Sequence, residues 1–252
     1  MTSLLQLTNL ILVVCIVVMV ILVFVVFRYG YQRISNKLFA IFALSGVIWV
    51  FINLIANLTC SYKNIDLVLW TRLSLVGPVF MPFILILFAN SFPENKITLK
   101  KIYIWILGII TLGILVFIPT KYNVESVQII NYTKCEFTFT PGPLYTFFTL
   151  YLLFGIFVAT YILIKKYLKT QKIEKLQIKN VLLGLGISIL AGLLTSAILP
   201  LMGYSQLINI GPASTIFFIG FTSYAILKHQ LLNIRLIVAE TITYLVLIVL
   251  TV

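Results

Sequence analysis

Leu144 to Ile164 reads LYTFFTLYLLFGIFVATYILI, and Lys165 to Lys179 continues it as KKYLKTQKIEKLQIK. The first segment carries no charge and has the length, about 20 predominantly apolar residues, that crosses a bilayer as a helix. The second sets six lysines (Lys165, Lys166, Lys169, Lys172, Lys175 and Lys179) against Glu174 alone. Basic residues resist translocation, so a lysine-rich segment next to a span marks the cytoplasmic side. These 36 residues therefore predict a membrane helix and its direction: it enters from outside and ends in the cytoplasm.

Six further stretches of the same kind flank it. They run from about Leu7 to Phe27, Leu38 to Leu58, Leu67 to Ala89, Ile102 to Ile118, Val181 to Met202 and Leu207 to Leu227. The first is too long for a cleaved leader, lacks a basic stretch ahead of it and shows no small-x-small cleavage site. With seven crossings every connecting segment takes a consistent side. Arg28, Arg33 and Lys37, then Lys96, Lys100 and Lys101, then the lysine run, then Lys228 and Arg235, place fourteen of the eighteen basic residues on one face. Lys63, Arg72, Lys121 and Lys134 fall on the other, beside Asp66, Glu125 and Glu136. The expected architecture is an all-α, seven-helix transmembrane bundle in the cell membrane, N-terminus outside and C-terminus in the cytoplasm. Composition agrees. The 252 residues are 62% hydrophobic and 10% charged, against about 45–50% and about 25% in soluble domains. The net charge of +12 sits in clusters between apolar runs, so topology accounts for it better than nucleic acid does.

One outer loop has substance, about Thr120 to Pro143. Its alternation Phe137-Thr138-Phe139-Thr140 predicts a short hairpin over the bundle, closed by Pro141-Gly142-Pro143. Cys60 and Cys135 both fall on the outer side, where they are either a disulfide or two free thiols. Cys15 lies in an apolar run and reads as a small buried hydrophobe. No Cys-x-x-Cys spacing occurs, so a zinc or thioredoxin-like site has no support. Residues 1–235 read as one membrane unit. Residues 236–252 read as a linker or the start of a further helix, because Thr241 to Val252 is almost wholly apolar but about half a span long.

Ionisable residues inside spans are costly and usually functional. No Asp, Glu, Lys or His falls within the seven spans. That argues against a proton-coupled transporter, an intramembrane metalloprotease and a retinal protein, and no catalytic centre, metal site or cofactor is expected. The exception is Arg72. Its guanidinium either faces an outer cavity, ready for a carboxylate or phosphate, or snorkels to the interface or pairs with Asp66. Trp70 is a pocket wall or part of an interfacial aromatic belt. Gly77-Pro78 and Pro82 in the third span, and Gly211-Pro212 in the seventh, are candidate kinks that open crevices between helices. The sole histidine, His229, abuts the last span and lacks the Glu that usually follows a phosphoacceptor, so it reads as interfacial. Gly184, Gly186, Ser188, Ala191, Gly192, Thr195 and Ser196 suit close helix packing. The Lys165–Lys179 cluster is a positive-inside anchor that also suits anionic headgroups.

Several of these segments resemble the N-terminal seven-transmembrane sensor region of bacterial histidine kinases, seen also on related cyclases. They are Phe88-Ala89-Asn90-Ser91-Phe92-Pro93, the run Glu174 to Gly184, Gly142-Pro143-Leu144-Tyr145, Gly211-Pro212, and Tyr224 to Arg235 (YAILKHQLLNIR). The chain departs from the family at Asn233, where Asp is usual. The resemblance implies an input module for a two-component signalling protein. It would sense a small-molecule or membrane stimulus and pass it to a cytoplasmic kinase domain downstream of this chain. Tyr224, Lys228, His229 and Arg235 are then the candidates for signal coupling, with Trp70 and Arg72 the candidates for ligand binding. The expected partners are the lipid bilayer, the stimulus and a second copy of the chain. The rival reading, a small transporter or permease subunit, calls for an internal repeat and polar residues at the bilayer midplane, and the sequence shows neither.

Overall fold

The computed structural model of the protein describes residues 3–60, 66–131, 136–195, 199, 202 and 211–230. Among the described residues the order is α1 (Ser3–Gly30), α2 (Ile34–Cys60), α3 (Leu67–Leu73), α4 (Val76–Ser91), α5 (Lys101–Phe117), β1 (Val124–Asn131), β2 (Glu136–Pro141), α6 (Tyr145–Lys169), α7 (Lys172–Leu193) and α8 (Thr215–Gln230). Within these residues, five helical stretches are long and apolar enough to cross a membrane: Leu5–Arg28, Ile34–Thr59, Leu67–Ser91, Tyr145–Lys169 and Lys172–Leu193. Lys101–Phe117 is apolar but shorter. Helix is the expected form for such runs, because hydrocarbon offers no partner to an unpaired backbone N–H or C=O. The surface agrees with a lipid solvent. Phe24, Trp105 and Phe157 are 68%, 70% and 73% exposed, an arrangement that water would penalise.

Helix α4 is the most enclosed of these helices, with α2 on one side and α6 on the other. Helix α8 packs on α7 and α1, α1 on α2, and α6 on α7, while α5 leans on α4. Glycine permits close helix approaches, among them those at Gly155 and Gly184. A Cβ at Gly155 of α6 would lie 2.6 Å from Pro82 Cα on α4, and one at Gly184 of α7 would lie 2.7 Å from Phe221 Cβ on α8. Without a side chain the backbones meet, which is how membrane helices gain dispersion contacts where hydrophobic driving force is absent. Five aromatic rings join three elements: Phe39 and Phe42 of α2, Phe88 and neighbouring Phe92 at the end of α4, and Phe218 of α8. Phe42 and Phe218 meet edge-on at 4.9 Å, Phe88 and Phe92 stack at 5.1 Å, and Phe88 lies 6.3 Å from Phe218.

The expected third span is present as Leu67–Ser91, with an interruption that divides it into α3 and α4. The backbone leaves the α-helix at Ser74 and Leu75, one turn ahead of Gly77-Pro78. Pro78 explains the position, since it has no N–H to give the carbonyl four residues back and its ring crowds that carbonyl, which belongs to Ser74. The hydroxyls of Thr71 and Ser74 donate to Leu67 O (2.8 Å) and Thr71 O (2.7 Å), adding local bonds that compete with the ladder. Pro82 is accommodated inside α4. The lysine run likewise divides. Helix α6 ends at Lys169, Thr170 and Gln171 are extended, and α7 starts at Lys172.

Candidate functional site

The hairpin forms where the alternation places it. Strands β1 and β2 pair antiparallel, with Val127 opposite Phe139 and Ile129 opposite Phe137. Because side chains alternate across a strand, these four share a face. Val127, Ile129 and Phe137 pack with Trp70 over Leu5, Ala56 and Leu67, which ties the hairpin to α1, α2 and α3. Phe139 meets Tyr145 edge-on at 5.3 Å.

Arg72 lies at the centre of this contact. Its Nε donates to Val124 O at 2.9 Å, Nη2 to Glu125 O at 3.2 Å and Nη1 to Pro119 O at 3.4 Å. The planar fork suits the convergence of three carbonyls. Asp66 is engaged at the start of α3, where its carboxylate accepts from Leu69 N at 3.1 Å and caps the helix. Trp70 and Arg72 are thus brought together, under the hairpin, and the guanidinium clasps the first two residues of β1 and Pro119 ahead of them.

A second constellation lies at the opposite, lysine-rich end. Asn90, in the last turn of α4, accepts from Thr98 N (2.7 Å) and Leu99 N (3.3 Å), and donates to Thr98 Oγ1 (3.0 Å). Lys166 of α6 donates to Asn90 O (2.5 Å) and Phe92 O (2.7 Å), carbonyls that no further helical turn satisfies. Asn95 Oδ1 accepts from Ile34 N at 2.6 Å and supplies the start of α2 with a cap. Gln177 of α7, buried, donates to Ala225 O of α8 at 3.2 Å. Further along, Ser188 of α7 donates to Ser214 O (2.8 Å) and accepts from Phe218 N (2.9 Å). The Phe88–Pro93 segment therefore ends α4, ties down the following loop and receives α6.

Tyr224 and Lys228 sit one turn apart on the exposed face of α8. The ammonium donates to the Tyr224 hydroxyl and lies 4.9 Å from the ring centroid. They are apart from Trp70 and Arg72, at the other end of the bundle. The side chains of Cys60 and His229, and all of Cys135, Asn233, Arg235 and residues 236–252, lie outside the described residues. Lys166 and Asn95 are not singled out by the sequence reading, and Gln177 stands only within the quoted Glu174–Gly184 run. Asn90 stood in a quoted motif, but nothing marks Lys166 apart from the lysines around it. Among the described residues no three His, Cys, Asp or Glu side chains gather as a metal site.

Long apolar helices, an apolar exterior and polar clasps at two ends define a multi-pass membrane protein. Residues 10–235 match the family described as the N-terminal 7TM region of histidine kinase, and the chain belongs to that family. It is a membrane sensory input region of the signal-transduction class. No curated protein and no solved structure matches the chain.

Proposed function

We propose that this region places the hairpin outside the cell and the lysine-rich end in the cytoplasm, and that it carries a stimulus from the first to the second for a downstream histidine kinase domain. The observation behind this reading is a continuous line of packed contacts. The hairpin is clasped by Arg72 of α3. Helix α3 joins α4 through the break at Ser74 and Leu75, and α4 ends in Phe88, which meets Phe218 of α8. A stimulus that favours one position of the hairpin biases α3, and the aromatic cluster passes that bias to α8. Energy for the shift comes from the difference in affinity between the two packings. Tyr224 to Arg235 then couples α8 to the output domain, in a dimer of the whole protein.

The test is autophosphorylation of the full-length protein in proteoliposomes, comparing wild type with Arg72→Ala and Arg72→Lys. A free hairpin changes basal output in the alanine variant, and the lysine variant, which keeps the charge without the fork, falls between. Identical output from all three proteins would remove the hairpin from the signalling path.

A further inference from the structure

We propose that the cleft between α5 and α6, at the hairpin end, is a binding site for a single-chain aliphatic alcohol that enters from the lipid. The cleft is a cavity of about 250 Å³ lined by Ile110, Gly113, Ile114 and Phe117 of α5, by Leu144, Phe147 and Phe148 at the start of α6, and by Asn123. Its floor is buried, with Ile114 at 8% and Phe148 at 3% exposure, while Phe117 and Phe147 at the rim are 43% and 54% exposed. Those rim residues continue the apolar exterior of α5, where Leu112 and Val116 are 59% and 68% exposed. The opening is thus continuous with the lipid-facing surface. An engineered cavity of about 150 Å³ holds benzene, so this one has room for roughly ten non-hydrogen atoms. That is the hydroxyl end of one alkyl chain, whose tail leaves through the lipid-facing mouth, and too little for the two acyl chains of a phospholipid.

Asn123 is the feature that selects the headgroup. The residue is 2% exposed, its backbone N–H donates to Thr120 O, and its backbone carbonyl accepts from Gly142 N. Its side-chain Oδ1 is buried without a hydrogen-bond partner. Buried polar groups are almost always paired, and an orphan calls for a partner. In an otherwise apolar cavity an unsatisfied carboxamide oxygen favours a ligand with an apolar body and one O–H. A hydroxyl donates to Oδ1, and after a small rotation of the amide the same hydroxyl accepts from the amide nitrogen. A carboxylate finds no cation among the lining residues, and a pure hydrocarbon leaves the oxygen unpaired. This site is independent of the signalling reading above.

The test uses the purified protein in phosphatidylcholine nanodiscs and a dodecanol carrying a mid-chain diazirine, with the sites of photolabelling read by peptide mass spectrometry. Label is expected on the peptides spanning Ile110–Phe117 and Leu144–Phe148, and unlabelled dodecanol competes it away. Dodecane is expected to compete about fivefold less well, the size of one net hydrogen bond. Gly113 lines the cleft, and a Cβ there meets nothing within 4 Å, so Gly113→Leu puts its side chain into the cleft and abolishes the label. Gly108→Leu on the same helix, equally unobstructed and away from the cleft, leaves the label unchanged. Asn123→Leu lowers labelling about fivefold but does not lower the melting temperature of the free protein, since no described side-chain hydrogen bond is lost. Equal competition by dodecane, or full labelling of Gly113→Leu, would overturn the assignment. No signalling output enters the measurement, so its failure leaves the sensory reading standing.

Discussion

Replacing Lys166 by methionine separates a structural lysine from the anchoring lysines around it. Lys166 donates to Asn90 O and Phe92 O, and a hydrogen bond from a charged group contributes about 1.5–3 kcal/mol. Two such bonds set a ceiling of about 3–6 kcal/mol. The side chain is only half-buried, so water replaces part of what is lost, and methionine keeps most of the stem's packing. The expected net loss is about 2 kcal/mol, close to a 30-fold change in the folding equilibrium. Lys165 is the control. It is exposed, and its ammonium lies 6.0 Å from the centroid of the Tyr161 ring, a contact that contributes about 0.5–1 kcal/mol at an exposed site. Reversible unfolding of the purified protein by SDS in mixed micelles, followed by tryptophan fluorescence, measures both variants. If Lys166→Met and Lys165→Met unfold at the same SDS fraction, Lys166 does not hold α4 to α6.

Three further outcomes are expected. Gly155→Val drives a branched side chain into Pro82 and costs about 1–3 kcal/mol in the same assay, whereas Gly186→Ala, with nothing within 4 Å of the added Cβ, is neutral or slightly stabilising. Arg72→Ala speeds amide exchange of β1 and β2 in nanodiscs about tenfold or more, the equivalent of one charge-assisted hydrogen bond, and leaves the exchange of α7 unchanged. Ser188→Ala removes the donor to Ser214 O and the acceptor of Phe218 N, so it lowers stability by about 1–2 kcal/mol, and Ser188→Thr restores part of that loss.

How much of this was legible in the sequence depended on whether local pattern or distant geometry decided each feature. The apolar runs carry their own helix instruction, so the run ending at Pro119 appears as α5 (Lys101–Phe117). Period-two alternation around Phe137 and Phe139 likewise announced the hairpin. Gly77-Pro78 announced a disruption, but a proline acts on the carbonyl four residues earlier, and the break accordingly falls at Ser74 and Leu75. Arg72 was visible as an oddity, with its partners 47–53 residues away, at the start of β1 and just ahead of it, where backbone carbonyls leave no trace in side-chain chemistry. The same holds for Lys166, whose acceptors lie 74 and 76 residues back. Side chains that bond to backbone are the hardest to foresee, because every residue supplies the acceptor.

Helix α5 is 17 residues long, which at about 1.5 Å per residue spans roughly 25 Å. The hydrocarbon layer of a typical bilayer is about 30 Å thick. On the proposed seven-span topology, the membrane beside α5 thins, or the stems of Lys100 and Lys101 at its start stretch toward the headgroups. Each ångström of mismatch costs a fraction of a kcal/mol, and much of the α5 surface is exposed, although the helix leans on α4 and its Thr111 hydroxyl bonds the Tyr151 hydroxyl of α6 at 2.7 Å. On that topology a change in acyl-chain length acts on α5 before it acts on the enclosed α4.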